Sequence, residues 1–233
     1  MKYHRILAVG DIHGMYDKLI RLMNKIKFNP KNDLLVFLGD YIDRGYDSIG
    51  CLQYVMELQK KYPNNVVCLL GNHEWLFYQS FAEDFKKLLP MNDVSAVWVQ
   101  NGGVSTYSEF IVLPDKKRTE ILQWVGALPL QYEIGDYYFC HAGVHPFCSL
   151  DDQKEKDLLW IREMFFEEYD GDKTIVVGHT PTQNVWRYFI DNEEDKNKPI
   201  FTKNHIILCD TGVYKTNGKL SCVDIISKKF WQV

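Results

Sequence analysis

The chain has 233 residues, 46% of them apolar and 25% charged, with a formal net charge of −4. This length and balance predict one folded domain with a substantial core and no disordered tail. An acidic balance argues against a general nucleic-acid binder, which needs a basic face to displace counterions, but it leaves room for a small basic pocket for one phosphate.

The six cysteines form no CxxC pair, so a structural zinc site has little support. Cys68, Cys140 and Cys209 lie in or at the end of apolar runs and read as buried reduced thiols. The apolar stretch near the N-terminus is too short for a secretory signal, and no stretch approaches the ~18 apolar residues of a membrane span. The expected compartment is the cytoplasm.

The pattern begins with a strand over 5–10 (ILAV) running into GDIHG, then a helix over 15–27 with apolar residues at Leu19, Ile20, Leu22, Met23 and Ile26. The continuous apolar run at 33–38 predicts a strand buried on both faces, followed by GDYIDRG. A helix is expected over 48–61, with Ser48 as its cap. A third strand at 66–70 runs into GNHE. The order is β-α-β-α-β, and in open α/β sheets sites form at the carboxyl ends of strands.

Residues 74–128 lack a strand pattern and read as mostly helical, with an aromatic-rich stretch at 75–85, a short segment at 94–100 and an amphipathic one at 116–127. A helical cap beside the site is expected at about 75–128, within a single domain covering 1–233. The pattern then turns to strands at 130–134 and 137–140, flanking a Gly135-Asp136 turn, and at 174–177, 205–209, 220–226 and 230–233. The charged run 191–198 reads as a solvated loop tip.

Five short blocks punctuate this pattern: GDIHG (10–14), GDYIDRG (39–45), GNHE (71–74), HAG (141–143) and GHT (178–180). Asp11 and His13 are two apart, so on an extended segment they point to one side. Asp40, Asn72, His141 and His179 end later strands. Two Asp, one Asn and three His form a mixed oxygen and nitrogen set, which suits Mn, Fe or Zn better than Ca or Mg. Six ligands exceed what one catalytic ion takes, and two ions sharing a carboxylate fit the number better. Such pairs serve in-line displacement at phosphorus.

Arg44 beside such ions implies an anion between them, most simply a phosphate. His73 is flanked by Asn72 and Glu74, so its side chain points away from that of Asn72. It is better placed as a general acid for the leaving oxygen, with Asp43 a candidate to orient the ring.

In this order and spacing the blocks resemble the phosphoprotein phosphatase family of metallophosphoesterases, and within it the small bacterial and phage branch. GDxxDRG followed by GNHE carries the resemblance. Related nucleases and phosphodiesterases typically have GNHD and a late GHxH, and lack the Arg of DRG. The resemblance implies a calcineurin-like α/β fold, a sandwich of two mixed β-sheets flanked by helices.

It also implies roles. Asp11 and His13 would bind the first metal, Asp40 would bridge, and Asn72, His141 and His179 would bind the second. His73 would be the acid, oriented by Asp43, and Arg44 would hold phosphate oxygens. LLWIRE (158–163) is similar to a bacterial-branch segment whose Arg also grips phosphate, which makes Arg162 a second clamp. NGG with Thr106 and the late CDTG (209–212) also look bacterial. The eukaryotic SAPNY motif is absent.

Other readings stay beside these. His145 is a rim residue sooner than a ligand, and His4 and His205 are strand residues near the surface. Trp75, Phe77, Tyr78, Phe81 and Phe85 form either helix core or a stacking surface for a nucleobase.

The expected function is a phosphomonoesterase dependent on two divalent ions, Mn2+ first, with Fe or Zn as alternatives. It would act by in-line attack of a metal-bridging hydroxide. The first substrate class is phosphoserine or phosphothreonine on proteins, with relaxed specificity toward phosphotyrosine. The alternative is a symmetrical bis(5'-nucleosyl)-tetraphosphatase. A third reading, a non-catalytic phosphate-binding scaffold, sits poorly with an intact ligand set. The expected partners are a phosphoprotein, a phosphopeptide or a dinucleoside polyphosphate, with no nucleic-acid polymer and no membrane, and the chain is expected to be a monomer.

Overall fold

The computed structural model describes residues 3–81 and 93–233. Two five-stranded mixed sheets face each other, as the sequence predicts. The first contains β1 (Arg5–Val9), β2 (Asp33–Phe37) and β3 (Val66–Cys68), with β9 (Ser221–Asp224) and β10 (Lys229–Gln232), in the order β10-β9-β1-β2-β3. The second contains β4 (Gln131–Ile134), β5 (Tyr137–Cys140), β6 (Thr174–Val177), β7 (Ile200–Phe201) and β8 (Ile206–Leu208), in the order β4-β5-β6-β8-β7. Strands β1, β2 and β3 are mutually parallel, as are β5, β6 and β8, and the outer strands run antiparallel.

Strand alternation builds the layers. Ile6, Ala8, Leu34 and Val36 point one way and meet Phe139, Val176 and Ile207 of the second sheet in a shared core. Leu7, Val9, Leu35 and Phe37 point the other way. They pack on α1 (Tyr16–Ile26) and α2 (Ser48–Lys61), whose Leu19, Leu22, Leu52 and Val55 face them. On the outer face of the second sheet, Tyr138, Ile175, Val177 and Leu208 pack against α7 (Glu155–Trp160), α8 (Glu163–Glu168) and α9 (Thr182–Phe189). The run at 33–38 is buried on both faces because it is a central strand between two such layers.

Two expectations shift. Asn72 does not end a strand but opens α3 (Asn72–Phe81), which starts directly after Gly71. Ser48 is not the cap of α2. Asp47 is, accepting from Gly50 N at 2.8 Å, while Ser48 turns its hydroxyl inward to Asp43 N. Cys148 is exposed, whereas the other five cysteines are buried. The short strand β7 and helix α9 had no sequence expectation.

Between α3 and β4 the described residues are mostly helical: α4 (Asp93–Trp98), a kinked segment at Val99–Gly103, α5 (Val104–Phe110) and α6 (Asp115–Gly126). Phe77 and Phe81 are core residues, packed with Trp98 and Phe110, while Trp75 and Tyr78 are half-buried. Phe85 lies outside the described residues. No described helix is long and apolar enough to cross a membrane.

Candidate metal centre

Six parallel strands, three from each sheet, end along one edge, and each delivers a polar side chain there. Asp11 follows β1, Asp40 follows β2, Asn72 comes after β3, His141 follows β5, His179 comes after β6 and Asp210 follows β8. All six are buried. His13 joins them from the turn after β1, and His73 from the first turn of α3.

Close backbone approach makes this convergence possible. A Cβ on Gly71 would lie 2.3 Å from Asp40 N and 2.4 Å from Asp40 Oδ1, so only glycine lets α3 begin so close to the β2 loop.

Two groups of donor atoms lie within 4.8 Å of one another, His13–Asp40–His73 and Asp40–His141–His179, and Asp40 is common to both. The hydrogen bonds decide which nitrogens are free. His13 Nδ1 donates to Ile42 O (3.0 Å) and His141 Nδ1 to Leu38 O (2.8 Å), since a carbonyl only accepts. The Nε2 of each ring then carries a lone pair. His141 Nε2 faces Asn72 Oδ1 at 2.8 Å and Asp40 Oδ1 at 3.4 Å, all acceptors. His179 Nδ1 lies 3.0 Å from the same Asn72 oxygen and 3.2 Å from His141 Nε2. His141 Nε2, Asn72 Oδ1 and Asp40 Oδ1 are acceptors turned toward one another, the arrangement a cation satisfies, so this donor set fits a divalent ion.

His13 Nε2 faces Asp40 Oδ2 at 3.7 Å and Asp11 Oδ2 at 3.9 Å, with Arg44 Nη1 the donor at this nitrogen. Two buried clusters sharing Asp40 are consistent with a dinuclear metal site.

The electrostatics agree. Burial, reinforced by Arg44, pushes the His13 imidazole well below its usual range, and burial also lowers His141 and His179. All three rings are therefore held neutral at neutral pH, the form in which an imidazole can bind a metal. Burial, with the charges of Asp210 and Asp40, pushes Asp11 well above the carboxylate range. Burial lifts Asp210 to about 6. Burial alone would also raise Asp40, but the imidazoles of His141, His73 and His13 around it reverse this and hold it below the usual range.

His73 and Asp43 are paired: Nδ1 donates to Asp43 Oδ2 at 2.6 Å, and both side chains are buried. His73 Nε2 remains on the cavity side, 3.9 Å from Asp40 Oδ2. A cavity of about 270 Å³ is lined by Asp40, Arg44, Asn72, His73, Arg162 and His179, with Trp160 and Tyr214 at its sides. Arg44 stacks on Tyr214, 4.3 Å from guanidinium carbon to ring centre, and its Nη1 donates to His13 Nε2 at 2.6 Å. Arg162, between α7 and α8, donates to Thr180 Oγ1 at 2.8 Å. All ten sequence-predicted site residues therefore meet in one place. His145 is half-buried off the site, its Nδ1 accepting from Phe147 N, and His4 and His205 are exposed residues just before strands.

Three contributors escape a reading by ligand type. The buried Glu74 carboxylate accepts from the backbone N–H groups of Asp40 (2.7 Å), Tyr41 (2.8 Å), Ile42 (3.2 Å) and Gly71 (3.2 Å), pinning the β2 loop. Asp210 keeps one buried oxygen without a hydrogen-bond partner. Tyr214 supports Arg44. The CDTG stretch was the only sequence sign of Asp210, and Tyr214 had none.

The family model described as calcineurin-like phosphoesterase matches residues 4–211. Over 188 residues the chain is 29% identical to serine/threonine-protein phosphatase 1 of Salmonella typhimurium, a match covering 77% of this chain and 80% of that one. It is 31% identical over 143 residues to the symmetrical bis(5'-nucleosyl)-tetraphosphatase of Vibrio campbellii, covering 61% of this chain and 46% of that protein. The chain thus spans about half the length of the tetraphosphatase. Among solved structures, a candidate diadenosine tetraphosphatase shares the fold with a TM-score of 0.68 at 22% identity, over 98% of this chain and 92% of that chain.

Proposed function

Because the chain belongs to the calcineurin-like phosphoesterase family, we propose that it is a metal-dependent phosphomonoesterase of the serine/threonine protein phosphatase type. The observation that carries the reading is the His73–Asp43 pair at 2.6 Å beside two donor clusters that share Asp40. Cleaving a monoester of a poor leaving group requires a proton donor next to a phosphate-binding centre, and this pair supplies it.

Asp11 and His13 would hold one ion, Asn72, His141 and His179 the other, with Asp40 shared between them. When bound, such ions supply an activated water and neutralise charge on phosphoryl oxygens, with Mn2+ the first choice and Fe or Zn the alternatives. Arg44 and Arg162 line the same cavity and donate to the phosphoryl oxygens that gain charge in the transition state. His73 releases a proton from Nε2 to the leaving oxygen as its bond to phosphorus breaks, giving an alcohol and inorganic phosphate. Asp43 keeps the ring oriented through the bond at Nδ1. No side chain forms a bond to phosphorus.

The match to a phosphatase over four-fifths of that protein's length favours a protein substrate. The likeness to tetraphosphatases keeps a dinucleoside polyphosphate as the second reading. The helices of the 75–128 cap would border the bound substrate and choose between them.

A comparison of kcat/KM on Mn2+-loaded protein, using a panel of phosphopeptides beside diadenosine tetraphosphate, tests the reading. Phosphopeptide turnover is expected to dominate and to vanish on chelation, returning with added Mn2+. A strong preference for the dinucleotide would move the assignment to the second reading. Full activity after complete metal removal would defeat both.

A further inference from the structure

Asp43 accepts more hydrogen bonds than the orientation of one imidazole requires. Trp98 Nε1 donates to Oδ2 at 2.9 Å, and Thr106 Oγ1 donates to Oδ1 at 2.6 Å. Both donors are fully buried, and both come from the helical segment between the sheets' strands. They are eight residues apart. On a regular α-helix that spacing separates two side chains by about 12 Å along the axis, too far to share one carboxylate.

A kink within Val99–Gly103 removes the separation, because Gly102, at φ 102°, breaks the helix between the two residues. A Cβ on Gly103 would lie 2.5 Å from the Trp98 indole, and one on Gly102 would lie 2.9 Å from Arg44 Cγ, so this turn fits only as the glycine pair. The same turn accepts Arg44 N on Gly102 O at 3.3 Å, and Thr106 Oγ1 accepts from Asp43 N at 3.0 Å.

Asp43 and Arg44 themselves sit at φ 72° and 67°, a backbone region that residues with a Cβ adopt only at a cost in free energy. Their loop therefore depends on outside partners. We infer that Trp98 and Thr106 are positioning residues for the reaction: they fix the Asp43 carboxylate from the helical side and thereby hold His73 in register with the leaving oxygen. The inference rests on His73 being the general acid.

The test uses Mn2+-loaded Trp98→Phe, Thr106→Val and Thr106→Ser, each in wild-type and His73→Asn backgrounds, with an alkyl phosphate and with p-nitrophenyl phosphate. For the alkyl ester, Trp98→Phe and Thr106→Val are expected to lower kcat about tenfold each with KM little changed, since each removes a hydrogen bond to a charged group. The p-nitrophenyl ester, whose leaving oxygen has little need of a proton, is expected to suffer much less. Thr106→Ser keeps the hydroxyl and is expected to recover most of the Thr106→Val loss. In the His73→Asn background neither substitution should slow the reaction further.

Equal slowing of both esters, or an undiminished effect without His73, would overturn the positioning role while leaving the acid reading intact. Unchanged alkyl-ester turnover in His73→Asn alone would overturn the acid reading, and this inference with it. The near-isosteric Thr106→Val and Thr106→Ser pair decides the matter if Trp98→Phe does not fold.

Discussion

His13, Asp40, Asp43, Arg44 and His179 all adopt positive φ, between 45° and 72°. Such backbone is uncommon for residues with a Cβ and costs free energy at each position. Here the bends turn side chains from strand ends toward a common centre, and neighbouring groups hold them. Glu74 grips the backbone around Asp40, and the Asp11 carboxylate accepts from His179 N at 3.0 Å. At this scale Arg162 makes a sharp prediction. Arg162→Ala should lower kcat/KM for a phosphopeptide about 100-fold, and Lys should restore only part, because a forked donor matches phosphoryl oxygens where an ammonium is a point charge. Steady-state kinetics of the two variants check it. A loss seen only as lower protein stability would place Arg162 outside the site.

Among the elements, α2 shows how tertiary packing completes local signals. Asp47 caps Gly50 N, while the Glu109 carboxylate, from α5, accepts from Ser48 N (3.2 Å) and Ile49 N (2.8 Å). Three of the unpaired amides at a helix start are thus satisfied, one of them locally and two across the fold. Asp47→Ala should destabilise the protein by about 1 kcal/mol, seen as a drop in Tm of roughly 2–4 °C. An unchanged Tm would mean that Glu109 alone holds this end. Helix periodicity and apolar runs made α1, α2 and the central strands legible in the sequence. Helix α9 and strand β7 were not, because a short helix after a turn and a two-residue strand leave too few residues for a period to register.

Across the whole molecule, the site lies where two sheets bring six parallel strands to one edge, and its cost is a group of buried carboxylates. Asp210, raised from 3.8 to about 6, binds its proton more tightly folded than unfolded. The stability it contributes is therefore fully present below its unfolded value and is lost as pH rises through about 6. In chelator-treated protein, Asp210→Asn should be close to wild type in stability at the acid end of that window. It should become more stable than wild type by about 3 kcal/mol once pH passes the upper value. Denaturant titrations across the window measure this, and a constant difference between the two proteins would contradict it. Added Mn2+ should shrink the gap by neutralising the carboxylates.

The sequence by itself determined the residue types and their order. Glycine-flanked Asp, Asn and His recur at the ends of apolar runs, and strand periodicity places those ends on one side of each sheet. Together with the family resemblance that these motifs carry, that sufficed for the two-sheet fold and for naming all ten residues that the structure brings together. Only the tertiary structure decided what supports them. Glu74 reaches four amides, Asp210 arrives from the last parallel strand, and Trp98 and Thr106 close on Asp43 across a kink at Gly102. The candidate ligands are legible because a metal would demand particular atoms, whereas their supports need only a donor or acceptor at a point in space, and many residue types at many chain positions can provide one.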